Sequence, residues 1–201
     1  MVEYIDTLSL KEELKTYASP RSKLTTMIQS GEIVQVRRGL YLRGGITGYS
    51  VKTLANKIYG PSYLSFEYAL SVYGMIPERV KNPTSAVFRK NKRKAYTTPF
   101  GVYTYQTIPA AVYYKGIRRH EEGGNPFLIA AREKALLDTL YTHRSITSRT
   151  GMLRLLREDL RIDPESLASL DRPLVRELAP CYGKKITCIF SDWLRKEPAH
   201  A

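Results

Sequence analysis

Cysteine, tryptophan and histidine are scarce in this chain, at two, one and three residues in 201. Cys181 and Cys188 are too few for a disulfide framework and too few for a zinc site, so a reducing, cytoplasmic setting is expected. His120, His143 and His200 lie far apart, with no nucleophile at a motif spacing and no glycine-rich phosphate loop. No catalytic set can be assembled from them, so neither enzyme activity nor a metal or cofactor is expected. Long hydrophobic runs are missing too: nothing approaches the ~20 apolar residues of a membrane span. The opening MVEYIDTLSLKEEL is too polar and acidic for a secretory leader. Acidic residues are the last shortage, 19 against 32 Lys and Arg, which leaves a formal charge of +13. Such an excess points to a polyanion, and to nucleic acid over a membrane surface because no basic amphipathic anchor is visible. Ribosomal and merely soluble basic proteins share this charge, so it does not decide function.

What is present is a globular chain, 43% hydrophobic and 25% charged, long enough for one or two domains. The stretch Ser19–Arg43 is its most legible part. Pro20 suits the first position of a helix, behind Ser19 as N-cap. Leu24, Met27 and Ile28 share one face at helical spacing, while Ser22, Thr26 and Gln29 fall opposite, with Lys23 and Thr25 beside them. Gly31 ends the helix. Val34 and Val36 then alternate with Gln35 and Arg37, Arg38-Gly39 makes a tight turn, and Leu40–Arg43 returns as a second strand. A polar-faced helix followed at once by an arginine-tipped hairpin reads as a recognition helix and wing. It reads equally as a helix and hairpin with a solvated face.

Leu10 and Leu14 mark a helix over Leu8–Ala18, which with the next helix makes a helix-turn-helix. There is little room for a further helix before it. Gly44–Gly48 reads as a linker, so the expected division is a winged helix-turn-helix over residues 1–45 and a larger domain over 46–201. In that domain Val51, Leu54, Ala55 and Ile58 predict a helix, and Ser62 or Ser65 caps another through about Tyr73, with Leu64, Tyr68, Ala69 and Val72 inward. From Thr84 the period becomes two. Strands are expected from Thr84, over Ala95–Thr98, Val102–Ile108, Val112–Ile117 and Pro126–Ala130, with Arg118–Asn125 as a loop. They predict a small, mostly antiparallel sheet. Ala131–His143 returns to helical spacing through Leu136, Leu137, Leu140 and Tyr141, and from about residue 148 to 201 short helices separated by prolines follow. The fold class is α+β.

Three stretches together resemble the AbiEi antitoxin family of bacterial type IV toxin–antitoxin systems: GEIVQVRRGLYLRG at Gly31–Gly44, ANKIYGPSYLSFEYALSVYGMIPE at Ala55–Glu78, and NPFLIAAREKALLDTLY at Asn125–Tyr141. The likeness runs over roughly residues 8 to 145. It implies a non-enzymatic repressor whose N-terminal winged helix binds inverted repeats of double-stranded DNA in its own operon promoter. It also implies a C-terminal domain that neutralises a nucleotidyltransferase-like toxin without forming a stable complex with it.

For reading DNA, Gln29 can pair with an adenine edge, Arg21 or Lys23 with guanine or phosphate, and Ser22, Thr25 and Thr26 with phosphate or a thymine methyl. Arg37 and Arg38 at the hairpin tip can enter the minor groove or clamp its phosphates. The run Arg89, Lys90, Lys92, Arg93 and Lys94 is either a second phosphate-contacting patch or a solvated turn. Arg144, Arg149, Arg154 and Arg157 read as solvated structure. Two alternatives remain open. Tyr96, Tyr103, Tyr105, Tyr113 and Tyr114 on a basic sheet can stack the bases of single-stranded RNA. Glu133 and Asp138 can form a magnesium-dependent nuclease pair, although Lys134 and Asp138 stand at the spacing of a structural ion pair on a helix.

Overall fold

The computed structural model describes residues 3–43, 48–90, 92–143 and 146–196. Among these, the chain is a mixed α+β fold with ten α-helices and two sheets. The first unit runs β1 (Glu3–Asp6), α1 (Thr7–Leu14), α2 (Pro20–Gln29), β2 (Ile33–Arg37) and β3 (Leu40–Arg43). Its antiparallel sheet has the order β1-β3-β2. The strand β1 was not expected. It follows from the pairing of Tyr4 with Leu42 and Ile5 with Tyr41. Asp6 then starts α1 by accepting from the Ser9 amide at 2.8 Å. The helix ends at Leu14 and not at Ala18, because residues 15–19 are exposed and have no packing to hold them helical. Pro20 then holds Ser19 out of the helical region (φ −135°, ψ 86°).

Alternation along the three strands buries both faces of this sheet. Ile5, Ile33 and Tyr41 close a small core with Leu10, Leu14 and Met27 of the two helices. Val36, Leu40 and Leu42 on the other face join the main core of the molecule, and Tyr4 and Val34 pack beside them. The hairpin therefore lies against the rest of the chain. Tyr4 reinforces the junction: its hydroxyl donates to Asn125 Oδ1 at 3.0 Å and accepts from the Ser50 amide at 2.9 Å. The glycine linker expected at Gly44–Gly48 lies, save for Gly48, outside the described residues.

The second unit continues with α3 (Val51–Ile58), β4 (Ser62–Leu64), α4 (Phe66–Val72), β5 (Thr84–Val87), β6 (Lys94–Thr98), β7 (Gly101–Thr107), α5 (Ala110–Tyr113), β8 (Ile117–Glu122), β9 (Asn125–Ala130) and α6 (Arg132–Thr142). Its six strands have the order β6-β7-β5-β4-β9-β8. The sheet is larger and more mixed than expected, since β5 pairs with β7 and β4 with β9 in parallel. Parallel pairs need both faces covered. Ser62 points to α3, donating to the Ala55 carbonyl at 3.5 Å, and its neighbour Tyr63 points to α6, donating to Asp138 at 3.0 Å. The two helices thus cover opposite faces.

Three local expectations are corrected. Leu64 belongs to a buried strand and not to the following helix, and Val72 at the end of α4 is 40% exposed. Val112 sits in the short helix α5, not in a strand. Arg118–Asn125, expected as a loop, is mostly the edge strand β8, paired with β9 through the turn Gly123-Gly124. The chain closes with α7 (Arg149–Arg154), a π-helical turn Leu155–Asp159, α8 (Pro164–Ala168), α9 (Arg172–Leu178), a 3-10 turn Ala179–Tyr182 and α10 (Lys185–Lys196). Met152, Leu155, Val175, Leu178, Phe190 and Trp193 all enter the same main core, so this helical end is packed into the second unit. Among the described residues no helix is long and apolar enough to cross a membrane.

Candidate nucleic-acid interface

The outward face of α2 is set by its inward one. Met27 is buried and Leu24 and Ile28 pack beside it, which turns Ser22, Thr25, Thr26 and Gln29 outward at i, i+3, i+4 and i+7. All four are exposed. Two of the hydroxyls are tied back to the helix: Thr25 donates to the Arg21 carbonyl and Thr26 to the Ser22 carbonyl, each at 3.1 Å. Their methyl groups and the Gln29 amide are thereby left as the groups an incoming surface meets. Ser19 does not cap the backbone as expected; its hydroxyl pairs with that of Ser22 at 2.9 Å. Arg21 is exposed at the edge of the stripe, and Lys23 lies over the Tyr17 ring at 5.3 Å.

Glu3, Asp6, Glu12 and Glu13 of this unit are engaged elsewhere, while Glu32, just after α2, is exposed. Arg43 holds Glu13 in a bidentate pair at 2.6 and 2.8 Å and Glu3 at 3.4 Å, and Glu12 pairs with Lys15. The Asp6 carboxyl is held below its ordinary range by the Ser9 amide. Arg21 and Lys23, by contrast, make no ion pair among the described residues.

The structure separates the two hairpin arginines. Arg38 faces solvent at the turn. Gly39 follows at φ +92°, where a side chain would also meet the Thr7 hydroxyl at 3.2 Å. Arg37 is half-buried, its guanidinium carbon 6.0 Å from the Tyr96 ring, with Nη1 donating to the Arg38 carbonyl at 2.9 Å. Around that ring the basic run converges as well. Tyr96 lies 5.6 Å from Tyr59, and the ammonium groups of Lys90 and Lys94 stand over Tyr59 at 5.3 and 5.2 Å. Lys92 and Arg93 are exposed between them, Arg89 turns away over Phe88 at 5.0 Å, and Asn91 lies outside the described residues. None of these cations makes an ion pair among the described residues. Two stretches more than fifty residues apart in sequence therefore meet on one pair of tyrosines. Sequence spacing carried no sign of Tyr59, which stands at the end of α3 and is positioned only by packing.

Other candidate groups are differently placed. Tyr103, Tyr105 and Tyr113 are core residues, 0, 0 and 3% exposed, and burial pushes all three phenols up. Tyr105 donates to the Ala55 carbonyl at 2.7 Å. The five-tyrosine stacking platform thus reduces to half-buried Tyr96 and exposed Tyr114. Glu133 is buried and accepts from the Asp171 amide at 3.0 Å. Asp138, fully buried, accepts from Lys134 Nζ at 2.6 Å, Ser65 at 2.6 Å, Tyr182 at 2.6 Å and Tyr63 at 3.0 Å. Both carboxylates are committed to internal hydrogen bonds. His120 is stacked on Phe127 at 5.9 Å, and among the described residues no group of His, Cys, Asp and Glu is placed to hold a metal ion. Arg154 pairs with Glu158 at 3.1 Å, Arg157 is exposed, and Arg144 and His200 lie outside the described residues. No protein-family model matches the chain, and no curated protein matches it.

Proposed function

We propose that the protein is a sequence-specific DNA-binding repressor. In this reading β1 through β3 form a winged helix-turn-helix, with α2 as recognition helix and the β2–β3 hairpin as wing. The observation that carries it is the exposed stripe of Ser22, Thr25, Thr26 and Gln29 with Arg21 at its edge, together with Arg38 exposed at the hairpin turn, and no carboxylate paired to either arginine among the described residues. A merely solvated helix in a chain of ordinary charge would interleave both signs. Here the major groove of duplex DNA supplies what the stripe lacks: base-edge acceptors and donors for Gln29, thymine methyls for the threonines, and phosphates for the arginines.

The regulatory target we assign is an inverted repeat in the promoter of the protein's own operon. The second unit acts as antitoxin to a nucleotidyltransferase-like toxin in a cytoplasmic toxin–antitoxin pair. This part rests on the likeness of Ala55–Glu78 and Asn125–Tyr141 to the AbiEi family. Gln29→Ala with Thr26→Ala tests the reading. It should abolish preference for the upstream DNA over a scrambled duplex and leave the melting temperature unchanged, since both side chains are exposed. Retained preference would remove α2 from the reader's role. Because Val36, Leu40 and Leu42 are part of the main core, antitoxicity is better tested in the full chain carrying these two substitutions than in a truncated one. Rescue of cells expressing the toxin, without operator binding, separates that activity from DNA reading by α2.

A further inference from the structure

We infer that the β5–β6 turn is a second phosphate-binding element, joined to the wing through Tyr59 and Tyr96, so that both units grip one DNA duplex. The inference rests on the DNA-binding reading and adds to it a contact made by the second unit. Arg37 reaches Tyr96 from the first unit, while Lys90 and Lys94 reach Tyr59 from the second, and the two rings touch at 5.6 Å. Three cations are thus held around two rings with no carboxylate paired to them among the described residues. The quadrupoles of the rings offset part of the repulsion among like charges. The remainder is relieved when a chain of phosphates lies across the cluster and its condensed counterions are released.

Rigidity decides whether the two patches act together. The hairpin is seated in the main core by Val36, Leu40 and Leu42, so the relative position of wing and β5–β6 turn is fixed before DNA arrives. A preset pair of contacts avoids the ordering cost that a flexibly linked second patch would incur. Lys92 and Arg93, exposed in the same turn, add to its positive charge.

The test is a salt titration of binding to a 30-base-pair duplex of scrambled sequence and to the protein's own upstream DNA, for wild type, Lys90→Gln with Lys94→Gln, and Gln29→Ala with Thr26→Ala. Each lost phosphate contact lowers the log–log salt slope by about 0.9. The lysine pair should therefore lower the slope by about 1.8 on both duplexes and leave the preference between them intact. An unchanged slope in the lysine variant, while the α2 variant loses its preference, overturns the second contact and leaves the recognition helix standing. A reduced slope with an unaffected α2 variant keeps the second contact and removes the recognition helix. No binding of wild type to either duplex overturns the duplex grip. Circular dichroism melting of each variant checks that the fold is intact.

Discussion

Replacing Asp138 by asparagine should be among the most damaging single changes available in this protein. The carboxylate sits at the centre of a buried network with four donors: Lys134, Ser65, Tyr63 and Tyr182. Lys134 is 0% exposed and has two hydrogen-bonding partners, Asp138 and the Tyr182 hydroxyl at 2.9 Å. Burial pushes the Lys134 ammonium below its ordinary value, and Asp138 is what opposes that drop. Asparagine removes the countercharge and turns a donor toward hydroxyls that are themselves donating. Breaking a buried ion pair from one side costs about 3–5 kcal/mol. At about 2–4 °C per kcal/mol for a chain of this size, the melting temperature should fall by roughly 6–20 °C. Thermal unfolding followed by circular dichroism measures it. Adding Lys134→Met to Asp138→Asn removes the stranded ammonium and should recover more than half of the loss. A single-variant shift under about 2 °C would refute the reasoning, because it would mean the pair contributes no more than a surface contact does.

Other expected outcomes are smaller but sharper. Gly116 adopts φ +68°, and a Cβ there would meet Lys134 Cβ at 3.1 Å and Leu178 Cδ1 at 3.3 Å. Gly116→Ala should destabilise by about 1–3 kcal/mol in chemical denaturation, whereas Gly124→Ala, equally left-handed but with open space around it, should lose only the backbone part. Burial raises the phenols of Tyr63, Tyr103, Tyr105, Tyr113 and Tyr182 above the ordinary value of 10. A raised folded-state value means that the stabilisation is complete below pH 10. It is lost as pH climbs above that, by about 1.4 kcal/mol per pH unit for each phenol. Phenolate absorbance should therefore show these five withheld until the chain unfolds in alkali; their ionisation in the folded chain near the ordinary value would contradict the core assignment.

Periodicity made α2, the β2–β3 hairpin, α3 and α6 legible, because each carries an apolar stripe whose period belongs to one kind of element. It failed where an element takes its identity from a neighbour. Ile117-Arg118-Arg119-His120-Glu121-Glu122 has no strand pattern, yet it is a strand because β9 offers it a free edge. Ser62-Tyr63-Leu64 is too short to show a period, and its complete burial comes from lying mid-sheet between β5 and β9. The candidate interface divides in the same way. The stripe on α2 follows from local spacing and was readable. The meeting of Arg37, Lys90 and Lys94 on Tyr59 and Tyr96 is a product of long-range packing, and no local rule encodes it. Arg37 and Arg38 are equivalent in the sequence pattern, and only the fold decides which of the two meets a ring and which meets solvent.

The central claim is that α2 reads a specific DNA sequence. Fluorescence anisotropy of a labelled duplex from the promoter upstream of this gene, titrated with the full-length protein against a scrambled duplex of equal length, tests it most directly. The account predicts binding to the promoter at least 10³-fold tighter than to the scrambled duplex, as specific DNA-binding proteins achieve. It also predicts that affinity for both duplexes weakens steeply with salt. Equal affinity for the two duplexes at every salt concentration would contradict it.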